Sequence, residues 1–210
     1  MVITYHGGHF VKITQGDLTI AINPFSKDGD YKPLRFGSDI ALVSANDPNM
    51  NGVENLEYGD RKPFVVSGPG EYEIRDVAIS GFLSPKSYGP KGLLNTIYTV
   101  RIEDLTLCFL GALSSPELTA DLYEGIGNVD VLFAPIGGGD LLSPSDAEKI
   151  AVQLDAPVVI PLAYDDKHLA AFKKEMSAEG VLPVDKLTIK KKDISGKEGE
   201  VIILEPALRP

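Results

Sequence analysis

Residues 131–162 read VLFAPIGGGDLLSPSDAEKIAVQLDAPVVIPL, and this stretch decides the class of fold. Its two continuous apolar runs, 131–134 and 158–160, have the composition of strands that are buried on both faces. Between them Ser143 and Pro144 form a helix start, and apolar residues at positions 147, 150, 151 and 154 form one stripe of a helix. The stretch therefore predicts a strand–helix–strand unit and an α/β fold.

The sequence before this unit predicts hairpins. Residues 11–23 alternate between apolar and smaller or polar side chains around a turn at 15–17, which predicts two antiparallel strands with one buried face. Residues 95–110 predict a second hairpin that turns at Glu103 and Asp104. Cys108, in its second strand, is expected to be a core residue. Residues 23–38 are rich in turn-forming residues and predict an irregular loop.

Further elements are predicted on both sides of the central unit. Ser115-Pro116-Glu117 indicates a helix start, and a last helix is expected from Asp165 or Asp166 to Gly180. Runs 187–189 and 201–204 predict closing strands, beside a solvated edge formed by lysines 190–192. The length of 210 residues predicts one domain spanning 1–210 and is short for two complete domains.

Composition excludes several classes of function. The net charge of −10 disfavours a nucleic-acid partner, and no apolar run approaches the roughly 18 residues of a membrane span. The opening MVITYHGG has no signal-peptide pattern, so we expect a cytoplasmic protein. With one cysteine and three histidines, the chain has too few soft ligands for a binuclear zinc site of the usual kind.

Six short motifs, taken in order, resemble the metallo-β-lactamase fold, and within it the cytoplasmic metal-dependent hydrolases similar to ascorbate-6-phosphate lactonases. They are INPF at 22–25, GPGEYE at 68–73, NTIY at 95–98, LG at 110–111, APIGG at 134–138 and VIPL at 159–162. The resemblance extends to about residue 204. It implies a four-layer αββα sandwich of two mixed sheets, a homo-oligomer, and a phosphorylated sugar lactone or phosphoester as the substrate class.

The chain departs from this family at the metal ligands. The His-x-His-x-Asp-His motif is expected after the run 40–43. The family's ligand positions are held instead by Ala45, Asp47, Asn49, Met50, Ala112 (for an aspartate), Ser115 (for a histidine) and Ala163 (for the final histidine). Only Asp47 is a good ligand for a hard cation. We therefore expect neither metal nor cofactor, and a metal-independent pseudoenzyme with a binding or assembly role.

The alternative is a hydrolase with a rebuilt site or a single weakly held metal, for which the candidate catalytic residues are His9, Asp47, Asn49 and Glu71. Glu71 follows a predicted type II turn at 68–70, and with Asp47 it would form a carboxylate pair for acid–base chemistry or Mg²⁺ binding. His9 is either a hydrogen-bonded, partly buried histidine or a displaced equivalent of the family's first histidine.

Two other features carry open alternatives. Gly137, Gly138 and Gly139, followed by Asp140, form either a flexible strand-to-helix connection or a backbone site for a small anionic ligand. Of the remaining histidines, His6 is expected at a strand end, and His168 is expected to be exposed in the first turn of the last helix.

Overall fold

Two β-sheets form the centre of the protein. The computed structural model describes residues 1–86, 88–89 and 92–207, so positions 87, 90, 91 and 208–210 of the predicted domain lie outside the described residues. The strands are β1 (Val2–Gly7), β2 (Phe10–Gln15), β3 (Leu18–Ile22), β4 (Ile40–Leu42), β5 (Phe64–Val66), β6 (Gly70–Ile74), β7 (Val77–Leu83), β8 (Thr96–Ile102), β9 (Leu105–Phe109), β10 (Val131–Pro135), β11 (Val158–Leu162), β12 (Leu187–Thr188) and β13 (Glu200–Val201). The α-helices are α1 (Ala120–Ile126), α2 (Pro144–Gln153) and α3 (Asp166–Glu175), and short 3₁₀ helices cover Val53–Leu56 and Lys191–Asp193.

Both sheets are mixed. The six-stranded sheet has the order β12-β1-β2-β3-β4-β5, and the seven-stranded sheet has the order β13-β11-β10-β9-β8-β7-β6. Strands β9, β10, β11 and β13 run parallel, whereas β6 to β9 are successive antiparallel neighbours. The predicted α/β fold with two mixed sheets is confirmed.

Apolar side chains fill three layers of packing. The inner faces of the two sheets share one core, to which Ile20 and Phe133 belong. The helices cover the outer face of the seven-stranded sheet, where Ile150 and Phe172 are fully buried. The outer face of the six-stranded sheet is covered by the loop after β3 and by the 3₁₀ helix Val53–Leu56, which gives the sandwich its fourth layer.

The hairpins and the central strand–helix–strand unit lie where they were predicted. Strands β2 and β3 pair antiparallel, as do β8 and β9, and β10 and β11 pair parallel. The single buried face predicted for the first hairpin is wrong for β3, which is buried on both faces. The reason is that Ala21 packs outward against Phe25 and Leu56, in the layer that covers this sheet. Cys108 is a buried free thiol whose pKa burial raises to about 12.

Two predicted helix boundaries are wrong. The helix expected at Ser115-Pro116 begins only at Ala120, because Thr119 caps it by accepting a hydrogen bond from the N–H of Leu122. The last helix begins as expected after Asp165 but ends at Glu175, well before Gly180. Its next residues leave the helix, with Ser177 at a positive φ of 52°.

The first strand is bordered by the last part of the chain. Strand β1 pairs antiparallel with β12, with Val2 opposite Thr188. The N–H of Ala207 also donates a hydrogen bond of 3.0 Å to the carbonyl of Tyr5. One edge of the six-stranded sheet is therefore built from the two ends of the described chain.

Candidate functional site

The positions that the family resemblance assigns to metal ligands lie in loops at one end of the sandwich. Two asparagines fix these loops. Asn23 Oδ1 accepts a hydrogen bond of 2.7 Å from the N–H of Ser44, just after β4. Asn95 Oδ1 accepts one of 2.7 Å from the N–H of Ala112, and Asn95 Nδ2 donates to the carbonyl of Leu110. The loops after β4 and β9 are thereby held in a defined position.

Gly111 allows the closest approach between these loops. It has a φ of +60°, and a Cβ at this position would lie 2.7 Å from Ser44 Oγ and would also collide with Asn95 Oδ1. Only glycine adopts this positive φ without strain and also leaves room for the neighbouring side chains, because it has no Cβ. The Leu110-Gly111 motif therefore has a packing role at the centre of the site.

Three of the predicted ligand positions meet in an apolar cluster. Ala45, Met50 and Ala112 contact one another and are almost completely buried, with Tyr88 and Leu141 packed against them. Met50 fills this space with a flexible apolar side chain, and its thioether is a poor ligand for hard cations. At these three positions the structure therefore shows apolar packing and no donor atom for a hard cation.

His9 is the buried histidine of the site. It lies in the turn between β1 and β2, is 6% exposed, and donates a hydrogen bond to the backbone of Gly111. Its Nδ1 atom has no hydrogen-bond partner among the described residues. Burial lowers the pKa of His9 to about 4, although Asp47 and Gly111 oppose this shift, so the ring is neutral at pH 7.

Asp47 and Asn49 form a small polar network beside the apolar cluster. Asp47 Oδ1 accepts a hydrogen bond of 2.9 Å from the N–H of Asn49. The side chain of Asn49 exchanges hydrogen bonds with Asp30, accepting from its N–H and donating to its carboxylate. Asp30, Asp47 and Asp140 all raise the pKa of the half-buried Tyr88, after the larger effect of burial. The rim of the site is therefore acidic.

Glu71 lies apart from this network. It is exposed on β6, the edge strand of the seven-stranded sheet, and in the described part of the chain no hydrogen bond or salt bridge joins it to Asp47. Gly70 has a φ of 145°, well outside the type II turn that was predicted before Glu71. The structure thus brings together His9, Asp47 and Asn49 of the four candidates.

The glycine-rich loop after β10 is a structured connection. The N–H of Gly138 donates to the carbonyl of Leu142, and the N–H of Leu141 donates back to Gly138. A Cβ at Gly138 would lie 3.0 Å from Nε2 of His168, so the loop packs closely on α3. His168 is only 28% exposed in its side chain and bonds to Asp165 at 2.7 Å, so its predicted exposure is wrong. A small anionic ligand at this loop stays a prediction.

The family's metal centre does not fit the residues present. Within residues 1–86, 88–89 and 92–207, no group of three histidine, cysteine, aspartate or glutamate side chains is arranged to hold a metal ion. The orphaned Nδ1 of His9 and the carboxylate of Asp47 supply two donors, whereas a zinc site takes about four ligands.

Sequence reasoning did not identify the positioning roles of Asn23 and Asn95. Both belong to motifs that carried the family resemblance, so that resemblance was the available signal. Their hydrogen bonds join loops more than 15 residues apart and are visible only once the strands are paired.

The sequence and the fold are similar to those of proteins named as metal-dependent hydrolases. Residues 2–163 match the family described as a beta-lactamase superfamily domain. A UPF0173 metal-dependent hydrolase of Listeria monocytogenes is 27% identical over 206 residues, covering 81% of this chain and 88% of the relative. One from Bacillus thuringiensis is 26% identical over 198 residues, covering 79% and 86%.

Solved structures are similar over nearly the whole chain. A protein from Thermotoga maritima, classed as a zinc-dependent hydrolase of the metallo-beta-lactamase superfamily, has a TM-score of 0.78 and 25% identity, covering 97% of this chain and 98% of its own. A protein from Parabacteroides distasonis has a TM-score of 0.70 and 15% identity, covering 97% and 93%, and this likeness concerns the fold alone. Among the described residues, no helix has the length and apolar character needed to cross a membrane.

Proposed function

The chain belongs to the metallo-β-lactamase superfamily, and from that premise we propose that it is a non-hydrolytic member with a binding or assembly role. The observation that supports the proposal is the apolar cluster of Ala45, Met50 and Ala112, which are positions that the family resemblance assigns to metal ligands. Structural zinc sites bind with roughly 10–16 kcal/mol through their full ligand sets. Alanine and methionine side chains supply none of that binding energy for a hard cation.

The electrostatics of the site support the same proposal. Family substrates of the phosphorylated lactone or phosphoester class are anionic. Asp30, Asp47 and Asp140 give the rim of the site a negative field, and no metal ligand set is present among the described residues to offset it. An anionic substrate is therefore repelled where the family would bind it.

A second candidate is a hydrolase that uses a rebuilt site, and the names of the relatives favour it. Each of the relatives above is called a metal-dependent hydrolase. In this chain His9 is neutral at pH 7, and Asp47 is close enough to affect its pKa. His9 would accept a proton from an attacking water. Asp47 would then stabilise the protonated ring.

Metal content and turnover separate the two candidates. We expect protein purified without a histidine tag to retain less than a tenth of an equivalent of zinc or manganese by mass spectrometry, and to leave p-nitrophenyl phosphate and phosphorylated lactones unchanged. A full equivalent of metal with chelator-sensitive turnover would overturn the proposal.

Metal-independent turnover would also overturn it and would establish the rebuilt site. In that case Asp47→Asn and His9→Asn abolish turnover while the circular dichroism spectrum is kept. The matched control is Asp104→Asn, which removes an exposed carboxylate from the turn between β8 and β9. If Asp104→Asn lowers the rate equally, the activity belongs to a contaminant or to general destabilisation.

The assembly part of the proposal is supported by strand β5. It is the outer strand of the six-stranded sheet, and Phe64 and Val65 are 51% and 42% exposed there. An uncovered edge strand with apolar side chains favours pairing with a second copy. We expect light scattering to give a homo-oligomer and Val65→Lys to give a monomer. A monomeric wild-type protein would contradict assembly.

A further inference from the structure

Two buried polar atoms at the candidate site have no hydrogen-bond partner in the described part of the chain. They are His9 Nδ1 and Ser44 Oγ, which belong to residues that are only 6% and 2% exposed. A buried polar atom that binds neither protein nor water destabilises a fold, and internal water is a common partner of such atoms. We propose that one internal water molecule binds both His9 Nδ1 and Ser44 Oγ.

Both side chains lie against Gly111. His9, in the turn between β1 and β2, donates a hydrogen bond to the backbone of Gly111. Ser44 lies just after β4, and a Cβ built on Gly111 would be 2.7 Å from its Oγ atom. Because the two side chains contact the same residue, their unpartnered atoms lie in one small region of the fold, where the loops after β1, β4 and β9 meet.

The hydrogen bond to Gly111 defines what the other ring nitrogen of His9 can bind. Since Nδ1 has no partner among the described residues, the bond to Gly111 comes from the Nε2–H of the ring. In the neutral imidazole, Nδ1 then carries a lone pair and acts as an acceptor. The ligand must therefore donate a hydrogen bond to His9.

The hydroxyl of Ser44 matches the same ligand, because it can donate or accept a hydrogen bond by rotating. Neighbouring polar groups are already paired within the protein. The N–H of Ser44 donates to Asn23 Oδ1, and Asn95 Oδ1 accepts from the N–H of Ala112. A water molecule has two donors and two acceptors, so it can donate to His9 Nδ1 and bind Ser44 Oγ at the same time.

Charge and space disfavour other ligands. An anion would face the lone pair of His9 Nδ1 and the carboxylate of Asp47, which is close enough to affect the pKa of His9. A zinc ion would need about four donors, and two ring or hydroxyl atoms do not supply them. Gly111 leaves no room for even one added carbon atom beside Ser44, so the ligand is small. An internal water binds whether or not the protein hydrolyses a substrate, which makes this proposal independent of the proposed function.

A high-resolution crystal structure of the full chain tests the proposal directly. We expect one water peak within about 3.2 Å of both His9 Nδ1 and Ser44 Oγ. The absence of a peak, two separate peaks that each contact one atom, or a direct hydrogen bond between the two side chains would overturn the proposal. A peak with the anomalous signal of a metal would also overturn it. Of these results, only a metal would count against the proposed function as well, so the two failures are distinguishable.

Ser44→Ala tests the same bond in solution. Removing a hydroxyl that binds water lowers the urea midpoint of unfolding, whereas removing an unpaired buried hydroxyl leaves the midpoint unchanged or raises it. We expect a lower midpoint, as in the matched control Ser38→Ala, which removes a buried hydroxyl that is hydrogen-bonded to the carbonyls of Thr19 and Ile40. Ser67→Ala, at an exposed position, should not shift the midpoint. An unchanged or raised midpoint in Ser44→Ala would contradict a bound water at this residue.

Discussion

Asn95 Oδ1 accepts a hydrogen bond of 2.7 Å from the backbone N–H of Ala112, and both residues are almost completely buried. This bond fixes the loop after β9 to the start of β8. Asn95→Leu would leave the N–H of Ala112 buried without a partner, so we expect a loss of about 2–4 kcal/mol in the free energy of unfolding. Urea denaturation measures it, with Asn46→Ala at an exposed position as control. An equal loss of unfolding free energy in both variants would show that the buried hydrogen bond does not stabilise the protein more than an exposed side chain does.

Gly111→Ala is expected to destabilise the protein by more than about 2 kcal/mol. The substitution adds a Cβ in a left-handed backbone conformation and places it against Ser44 and Asn95. Gly16→Ala is the matched control, because Gly16 has the same φ of +60° with nothing within 4 Å of the added atom. It should lose only about 1 kcal/mol from backbone strain. Thermal and urea unfolding of both variants test the difference.

Combined Ala45→His, Met50→His and Ala112→Asp substitutions are expected to create zinc binding. The three positions already contact one another in one cluster, so two imidazoles and a carboxylate introduced there lie within reach of one ion. Zinc retained after desalting, measured by mass spectrometry, is the readout. The control carries Ala45→Gln, Met50→Gln and Ala112→Asn, which add similar bulk without zinc ligands. A folded triple variant that retains no zinc would show that these positions do not match the family's centre.

Stability is expected to fall between pH 7 and pH 5. Burial lowers the pKa of folded His9 to about 4, against 6.5 for an ordinary histidine, so in this interval the unfolded chain binds a proton that the folded chain excludes. The free energy of unfolding should therefore decrease by roughly 2 kcal/mol as the pH drops, and His6, whose pKa burial also lowers to about 4, acts in the same direction.

His9→Gln tests the origin of this pH dependence. Urea denaturation at pH 7 and pH 5 should show a smaller decrease in this variant, because its site at position 9 no longer titrates. His168→Gln should keep the full contribution of His9. An unchanged decrease in His9→Gln would assign the pH dependence to other groups.

Local sequence patterns predicted a helix or strand correctly where a single local interaction determines where it begins. Ser143 caps α2 with Pro144 in its first turn, and the side chain of Ser143 accepts the N–H of Asp146 as that pattern implies. At Ser115 the same local pattern failed, because its hydroxyl accepts the N–H of Glu117 in a turn, and the helix starts at the Thr119 cap instead. Two competing caps four residues apart cannot be ranked from sequence alone.

The candidate site was predictable only in part. The assignment of Ala45, Met50 and Ala112 to metal-ligand positions rests on motif order and stays a prediction, and their contact in one apolar cluster was not predicted from the sequence. The exposure of Glu71 and the meeting of His9 and Ser44 at Gly111 did not follow, since both depend on how distant strands and loops meet. Periodicity gives the face of a strand but not its neighbour in space.

The pairing of β1 with β12 has a consequence for synthesis on the ribosome. Val2 finds its strand partner at Thr188, so the six-stranded sheet cannot be completed until the chain has been synthesised to beyond Thr188. Such a large separation between partners slows folding. Until then the outer edge of β1 is unpaired, and an exposed strand edge of this kind favours aggregation during synthesis.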